Sequence, residues 1–395
     1  MNRLVIHITG IAIFLILTLL PYQVSLLVQT KSPAILLFNH SANTIKNFFG
    51  QKIVVKPSKP LTIVHIGDSH VQAGILSRTV KMLLAREFQS QYVSPGLVFP
   101  YSVMCSNNPV EYTSYHTGRW EYQKVNGANT PVDAGIFGVS AKTTDSLATL
   151  SFKVKPNALF KTQVNRVSVF YQSASPYLTP ILVEPKNVNP ILHENIAEFE
   201  LESEVDSVVI GFRAKNDFEC IVYGVNLWNT KSKFSLSSVG LNGATVHGFS
   251  LAKQLLPNIK LVKPDIVIVS LGTNDAYSNL FDSLNFARDQ ENLINTIKSA
   301  LPNPLIIFTT PNDHLLNRKY MNIRVQVASN VIKEISTKHK LPVWDFYSLM
   351  GGKGSIQGWI RYGLAAPDGV HLTAKGYQLQ GELFYHALYN SGFIE

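Results

Sequence analysis

Thr62-Ile63-Val64-His65-Ile66-Gly67-Asp68-Ser69-His70 is the stretch that decides the fold. It opens on a largely apolar, β-branched run, which reads as a buried strand. Gly67 breaks the run. Val71-Gln72-Ala73-Gly74-Ile75-Leu76 then opens an amphipathic helix expected to reach about Phe88. A strand, a tight turn and a helix put Ser69 at the carboxyl end of a sheet, beside the free N–H groups of a helix N-terminus. Open α/β sheets place their ligands there. On its own, an Asp-Ser pair at such a point does no more than cap the helix. Later stretches give it a second reading.

The strand-helix pattern resumes far downstream. Phe234 to Val239 reads as a strand, followed by Asn242-Gly243-Ala244 and a helix from about Val246 to Leu256. Asp265 to Leu271 is a nearly continuous apolar run bounded by Pro264 and Gly272, as a central parallel strand requires. It ends in Gly272-Thr273-Asn274-Asp275. A helix near Asn285 to Ala300, a strand from Leu305 to Thr309, a helix from about Asn322 to His339 and a short strand at Pro342 to Asp345 follow. A last helix, Ala374 to Tyr389, closes the pattern. Such alternation predicts an α/β fold built on a doubly wound parallel sheet.

Between the two α/β stretches the texture changes. From Ser90 to Phe234 helical periodicity gives way to short β-rich runs such as Asn165–Tyr171, Ala197–Leu201, Ser207–Phe212 and Glu219–Val225. Clusters of Pro, Asn, Gly and Ser separate them, which predicts an inserted all-β domain of sandwich type. The expected division is therefore 61–89 and 235–395 for the split α/β unit, with 90–234 inserted. Cys105 and Cys220 are the only cysteines and both fall in the insert. A disulfide joining its ends and two separate thiols are both compatible with that spacing. Trp120, Trp228 and neighbouring tyrosines offer surfaces for stacking on sugar rings, although most aromatics in β domains are core.

The 395 residues are 46% apolar and 15% charged, the composition of a globular chain with a sizeable core. The formal charge of +9 is scattered, with no basic arm, so nucleic acid is not an expected partner. Residues 1–30 carry Arg3 and then Leu4 to Val28, an apolar run without Asp, Glu, Lys or Arg and long enough to span a bilayer. Pro21-Tyr22-Gln23-Val24-Ser25 offers no small-x-small cleavage site, which favours an uncleaved signal anchor over a cleaved signal peptide. Residues 31–60 read as a tether. The expected location is exported, periplasmic or cell-envelope, with the cytoplasmic membrane as a partner through the N-terminal segment.

Pro367-Asp368-Gly369-Val370-His371-Leu372 precedes the last helix. An Asp three residues before a His in one loop can bond the imidazole Nδ1–H, fixing the tautomer and leaving Nε2 to take a proton from a serine. Ser69, Asp368 and His371 are thus candidate catalytic residues. The Ser69 N–H, the Gly243 N–H and the Asn274 amide are candidate oxyanion-hole donors. Asp275 and Asp345 read as loop-bracing carboxylates, and His65 as a core histidine. No spacing suggests a metal site, no phosphate-binding glycine loop is present, and no Gly-x-Ser-x-Gly elbow contains Ser69. No cofactor is expected.

Four blocks together resemble the SGNH (GDSL-type) hydrolase superfamily: Gly67-Asp68-Ser69-His70, Asn242-Gly243-Ala244, Gly272-Thr273-Asn274-Asp275 and Asp368-Gly369-Val370-His371. The resemblance implies a flavodoxin-like sheet and serine ester hydrolysis. His70 stands where the family name has Leu. That departure, the Asn-Gly-Ala block and a β domain inserted after the first helix are similar to the bacterial peptidoglycan O-acetylesterases, whose β domain looks like a carbohydrate-binding module. O-acetylated cell-wall glycan is the substrate this implies. The rival readings are a lysophospholipase or other lipid esterase, a glycan O-acetyltransferase, and an exported glycan-binding protein without catalysis.

Overall fold

The computed structural model describes residues 60–391, apart from 174, 176, 177 and 214–217. The opening stretch forms β1 (Leu61–Gly67), and β2 (Phe234–Gly240), β3 (Ile266–Ser270), β4 (Leu305–Thr309) and β5 (Val343–Trp344) join it in one parallel sheet. The spatial order is 2-1-3-4-5, flavodoxin-like. β1 runs in register with β2 from Leu61↔Phe234 to Gly67↔Gly240, and with β3 from Ile63↔Ile266 to Gly67↔Ser270. The order reverses between β1 and β3, which opens a crevice beyond their carboxyl ends.

The helices are α1 (Ser69–Gln72), α2 (Ile75–Glu87), α3 (Val246–Ser250), α4 (Leu255–Val262), α5 (Thr273–Tyr277), α6 (Ser283–Ala300), α7 (Ile323–Lys338), α8 (Phe346–Leu349), α9 (Ser355–Arg361) and α10 (Ala374–Asn390). Side chains alternate across the sheet with the strand period of two. Leu61 and Ile63 pack in a cluster with Val80 and Leu84 of α2 and Leu383 and Phe384 of α10. Val64 and Ile66 face the opposite cluster, with Ile294 of α6 and Ile332 of α7. Each such side chain, fully buried, contributes roughly 1.5–3 kcal/mol. Burial on both faces is why β1 and β3 read as continuous apolar runs.

The stretch between α2 and β2 is largely antiparallel β structure. One sheet runs through Glu121–Lys124, Val139–Thr143, Cys220–Trp228, Val164–Ser173, Ile196–Val205 and Ile191–His193, with Gly96–Val98 also paired to Cys220–Trp228. The second runs through Tyr112–Thr117, Thr149–Val154, Ser207–Arg213 and Thr179–Glu184. Phe152, Ile210, Val169 and Val222 of these sheets belong to the same hydrophobic cluster as Val64, Ile66, Val239 and Val269 of the parallel sheet. Polar bonds reinforce that shared core. Leu97 N–H donates to Ser237 Oγ at 2.8 Å, and the Tyr101 hydroxyl donates to the Gly240 carbonyl.

Two expected helices are interrupted, both for the same physical reason. The helix expected to run unbroken to Phe88 is split into α1 and α2 at Gly74, whose φ of 75° is left-handed and suits glycine. Val110 N–H, from the β region, takes the Ala73 carbonyl at 3.2 Å. Likewise Val246 to Leu256 is not one helix but α3 and the start of α4. Between them Lys253 and Gln254 N–H donate to the carbonyls of Val132 and Ala134, and Leu251 accepts from Val132 N–H. In each case backbone from the β region competes for groups that the helix ladder would have used. Cys105 is exposed, Cys220 is buried, and both are free thiols. Residues 1–30, with the expected signal anchor, lie outside the described residues. Among the described residues no helix is long and apolar enough to cross a membrane.

His65 is buried in β1, its Nδ1 3.1 Å from Ser77 Oγ and its Nε2 2.7 Å from Ser270 Oγ. Burial pushes its imidazole down to about 3, and does the same to His70, to about 3, and His314, to about 4. All three are neutral when folded but take up protons near pH 6.5 when unfolded. Their contribution to stability is complete above about pH 6.5 and is lost as the pH falls towards 3. The buried Asp68 and Asp275, pushed up to about 6 and about 7, act with the opposite sign. The histidine contribution lowers the melting temperature as the pH falls below about 6.5, and His65 supplies part of that slope. His65→Gln should flatten that slope in a series of melts from pH 7 to pH 4. A slope equal to that of the wild type would show that His65 does not titrate as a buried neutral group.

Candidate active site

Gly67 ends β1, and Asp68 caps α1 by accepting the His70 N–H at 3.0 Å. Ser69 is therefore the first helical residue, where N–H groups lack intrahelical acceptors. Its Oγ lies 3.0 Å from His371 Nε2. His371 sits in the loop before α10, and its Nδ1 is 2.8 Å from Asp368 Oδ2. The second carboxylate oxygen, Oδ1, accepts the N–H groups of Val370 at 2.8 Å and His371 at 2.9 Å. Burial pushes the Asp368 carboxyl up, but these N–H donors and the His371 ring outweigh it and hold it below the usual carboxylate range. A serine hydroxyl, an accepting imidazole nitrogen and an ionised carboxylate thus stand in one hydrogen-bonded line, with the histidine partly exposed.

The three candidate oxyanion donors are the Ser69 N–H, the Gly243 N–H and the Asn274 amide. Among the described residues neither the Ser69 N–H nor the Gly243 N–H meets an acceptor. Asn274, in the first turn of α5 after β3, gives one Nδ2 hydrogen to the Ala244 carbonyl at 2.9 Å. Asp68 Oδ2 is 3.4 Å from the same nitrogen, a weak contact that leaves the other hydrogen available. Gly243 has φ of 77°, and a Cβ there would lie 3.0 Å from Asn126 Nδ2. Glycine adopts that left-handed conformation without strain.

The glycine block is held by residues that the sequence analysis did not single out. Gln72, fully buried in α1, accepts the Asn242 N–H at 2.7 Å and donates to the Asn107 carbonyl at 2.8 Å. Asn242 Nδ2 reaches Asn107 Oδ1 at 2.8 Å, and Asn126 donates to the Asn242 carbonyl. Asn107 and Asn126 come from the β region, far from any motif, so only the chain path brings them here. Asp275 accepts the Val246 N–H at 3.1 Å and so ties α5 to the start of α3, the bracing role expected of it. Asp345 caps α8 and accepts from Thr310 and Lys333. His70 is buried beneath His371. Among the described residues no group of three or more His, Cys, Asp or Glu side chains is placed to hold a metal ion.

The sheet order and the placement of these loops at its carboxyl ends are those of the SGNH hydrolase fold. Residues 206–379 match the GDSL-like Lipase/Acylhydrolase family, a span that includes Gly243, Asn274, Asp368 and His371 but not Ser69. A solved peptidoglycan O-acetylesterase superposes with a TM-score of 0.68 at 21% identity, over 91% of this chain and 95% of that one. A lipase/acylhydrolase from Enterococcus faecalis is 26% identical over 41% of this chain and 78% of its own, with a TM-score of 0.34. An acetyl xylan esterase is 15% identical over 40% and 83%, with a TM-score of 0.33. No curated protein matches the chain.

Replacing Gln72 by Leu leaves the Asn242 N–H and the Asn107 carbonyl without partners at the edge of the core. The expected cost is about 1–3 kcal/mol, read from urea unfolding. Esterase turnover should fall with it, because the Gly243 peptide loses its support. A variant with unchanged turnover would show that this amide network does not hold the glycine block in place.

Proposed function

We propose that this chain is a serine esterase that removes O-acetyl groups from cell-wall glycan. The observation that carries the reading is the hydrogen-bonded line Ser69–His371–Asp368 beside two unengaged backbone N–H groups and the Asn274 amide. Ser69 Oγ attacks the acetyl carbonyl carbon while its proton passes to His371 Nε2, and Asp368 stabilises the imidazolium. The oxyanion receives hydrogen bonds from the Ser69 N–H, the Gly243 N–H and Asn274 Nδ2. Collapse of the tetrahedral intermediate breaks the bond to the sugar oxygen, which leaves with the proton from His371. Water then attacks the acetyl-serine, again through His371, releasing acetate and restoring Ser69.

The glycan side of the proposal rests on two supports. The peptidoglycan O-acetylesterase covers 91% of this chain, a span too long to leave out the β region. The rim beside Ser69 is also polar: Asn107 and Asn242 are exposed, and Ser106 and Asn126 stand next to them. Amide and hydroxyl groups suit a hydroxyl-rich sugar better than a lipid chain. Export, with the catalytic region on the outer side of the cytoplasmic membrane, belongs to the same proposal.

Ser69→Ala should fold normally and lose several orders of magnitude in turnover, since such residues act as a unit. Asn274→Ala should cost roughly 10²–10³ in turnover, the scale of one oxyanion donor. Across acetyl, butyryl and octanoyl p-nitrophenyl esters, activity should decline with chain length, and O-acetylated peptidoglycan should release free acetate. Each methylene buried in an apolar pocket is worth roughly 0.8 kcal/mol, so a lipid esterase would show the reverse trend. A rise towards octanoyl without acetate release would overturn the glycan reading. Transfer of acetyl to a sugar acceptor instead of water would identify a transferase.

A further inference from the structure

His70 follows the candidate nucleophile and is only 7% exposed, so it does not face a substrate. Its ring lies against that of His371, with centroids 5.2 Å apart and planes 29° from parallel. Tyr377, on α10, holds it from the side: the phenol oxygen is 2.9 Å from His70 Nδ1 and the ring meets it edge-on at 5.7 Å. The phenol oxygen also faces the Leu372 backbone N–H, so its hydroxyl proton can go to Nδ1. In that arrangement Nε2 carries the imidazole hydrogen.

His70 Nε2 is buried and has no hydrogen-bond partner among the described residues. It shares this property with Trp344 Nε1 and Gln380 Oε1. All three residues line one internal cavity of about 20 Å3, close behind the end of β1. A cavity of that size with polar groups in its lining admits a single water, which needs two to four partners. Two N–H donors and one amide oxygen are what a bridging water can satisfy: it accepts from His70 and Trp344 and donates to Gln380.

We propose that His70 is a positioning residue for His371, locked as a neutral ring between Tyr377 and one internal water shared with Trp344 and Gln380. The proposal rests on His371 being the base of the reaction. Burial pushes the His70 imidazole down to about 3; the nearby His371 and His314 lower it further and Asp368 opposes them. The ring therefore stays uncharged while His371 becomes an imidazolium. A neutral aromatic face tolerates that cation, whereas a second cation would oppose it. The stacked ring also blocks the rotation that would carry Nε2 away from Ser69. An error of about 1 Å in such a geometry costs on the order of 10²-fold in rate.

Two substitutions separate the ring from its polarity. His70→Asn keeps a polar partner for Tyr377 but removes the ring; His70→Phe keeps a ring. On p-nitrophenyl acetate, His70→Asn should lower kcat about 10–100-fold with KM within about twofold, and His70→Phe should recover most of the loss. The downfield proton NMR signal of His371 Nδ1–H bonded to Asp368 should persist in the wild type and His70→Phe and broaden in His70→Asn. Melting curves of both variants confirm folding, and an experimental structure should show one ordered solvent atom in contact with His70, Trp344 and Gln380. Wild-type kcat and an unchanged signal in His70→Asn, or equal impairment of both variants, would overturn the positioning role. A dry cavity would overturn the water lock. Ser69→Ala is assayed alongside: full activity there refutes the triad itself, while the His371 signal still reports separately on its ring.

Discussion

A hydrogen bond of 3.0 Å between Ser69 Oγ and His371 Nε2 joins residues 302 positions apart, and the rest of the structure bears on keeping its two ends together. The serine end is set by β1, clamped in register between β2 and β3, and by the Asp68 cap that starts α1 at Ser69. The histidine end is set by Asp368, whose two oxygens take three hydrogen bonds from the His371 loop. Between them runs apolar packing: Leu76, Val80 and Leu84 of α2 lie in one cluster with Leu383 and Phe384 of α10. Dispersion and burial fix the helices, and the helices fix a geometry that tolerates little error.

The β region is a brace as well as an appendage to this arrangement. Its sheets share a hydrophobic cluster with the parallel sheet, and its backbone ends one helix at Ala73 and another near Leu251. Asn107 and Asn126 reach the glycine block from the same region. The glycine block is thus held by segments that lie far apart in the chain. Removal of the region would expose a large apolar surface of the α/β unit, so it is not a detachable module in the energetic sense.

The titrating groups around Ser69 divide by environment. Asp368 accepts two backbone N–H groups as well as the His371 ring and stays ionised. Asp68 and Asp275, one turn or one strand away, are enclosed and pushed up to about 6 and about 7. His70 is enclosed and neutral, whereas His371 is partly exposed. Carboxylates and imidazoles of the same type take different roles because burial and hydrogen bonding differ around each, a pattern that clusters at functional sites.

By itself the sequence determined the elements whose signals are local. Continuous β-branched runs marked β1 and β3, and short β-rich runs between clusters of Pro, Asn, Gly and Ser marked the antiparallel strands. The residues around Ser69 were legible because Asp-x-x-His and the loops after β1, β2 and β3 carry their chemistry within a few positions. Tertiary structure alone decided what depends on distant backbone or side chains. The breaks at Gly74 and after Ser250 arise because Val110, Val132 and Ala134 compete for helix hydrogen bonds, a contest no helical propensity records. Gln72, Asn107 and Asn126 carried no motif, since their role is to satisfy one another across the fold. Tyr377 likewise carried no motif. Only its approach to His70, 307 positions away, gives its hydroxyl a partner.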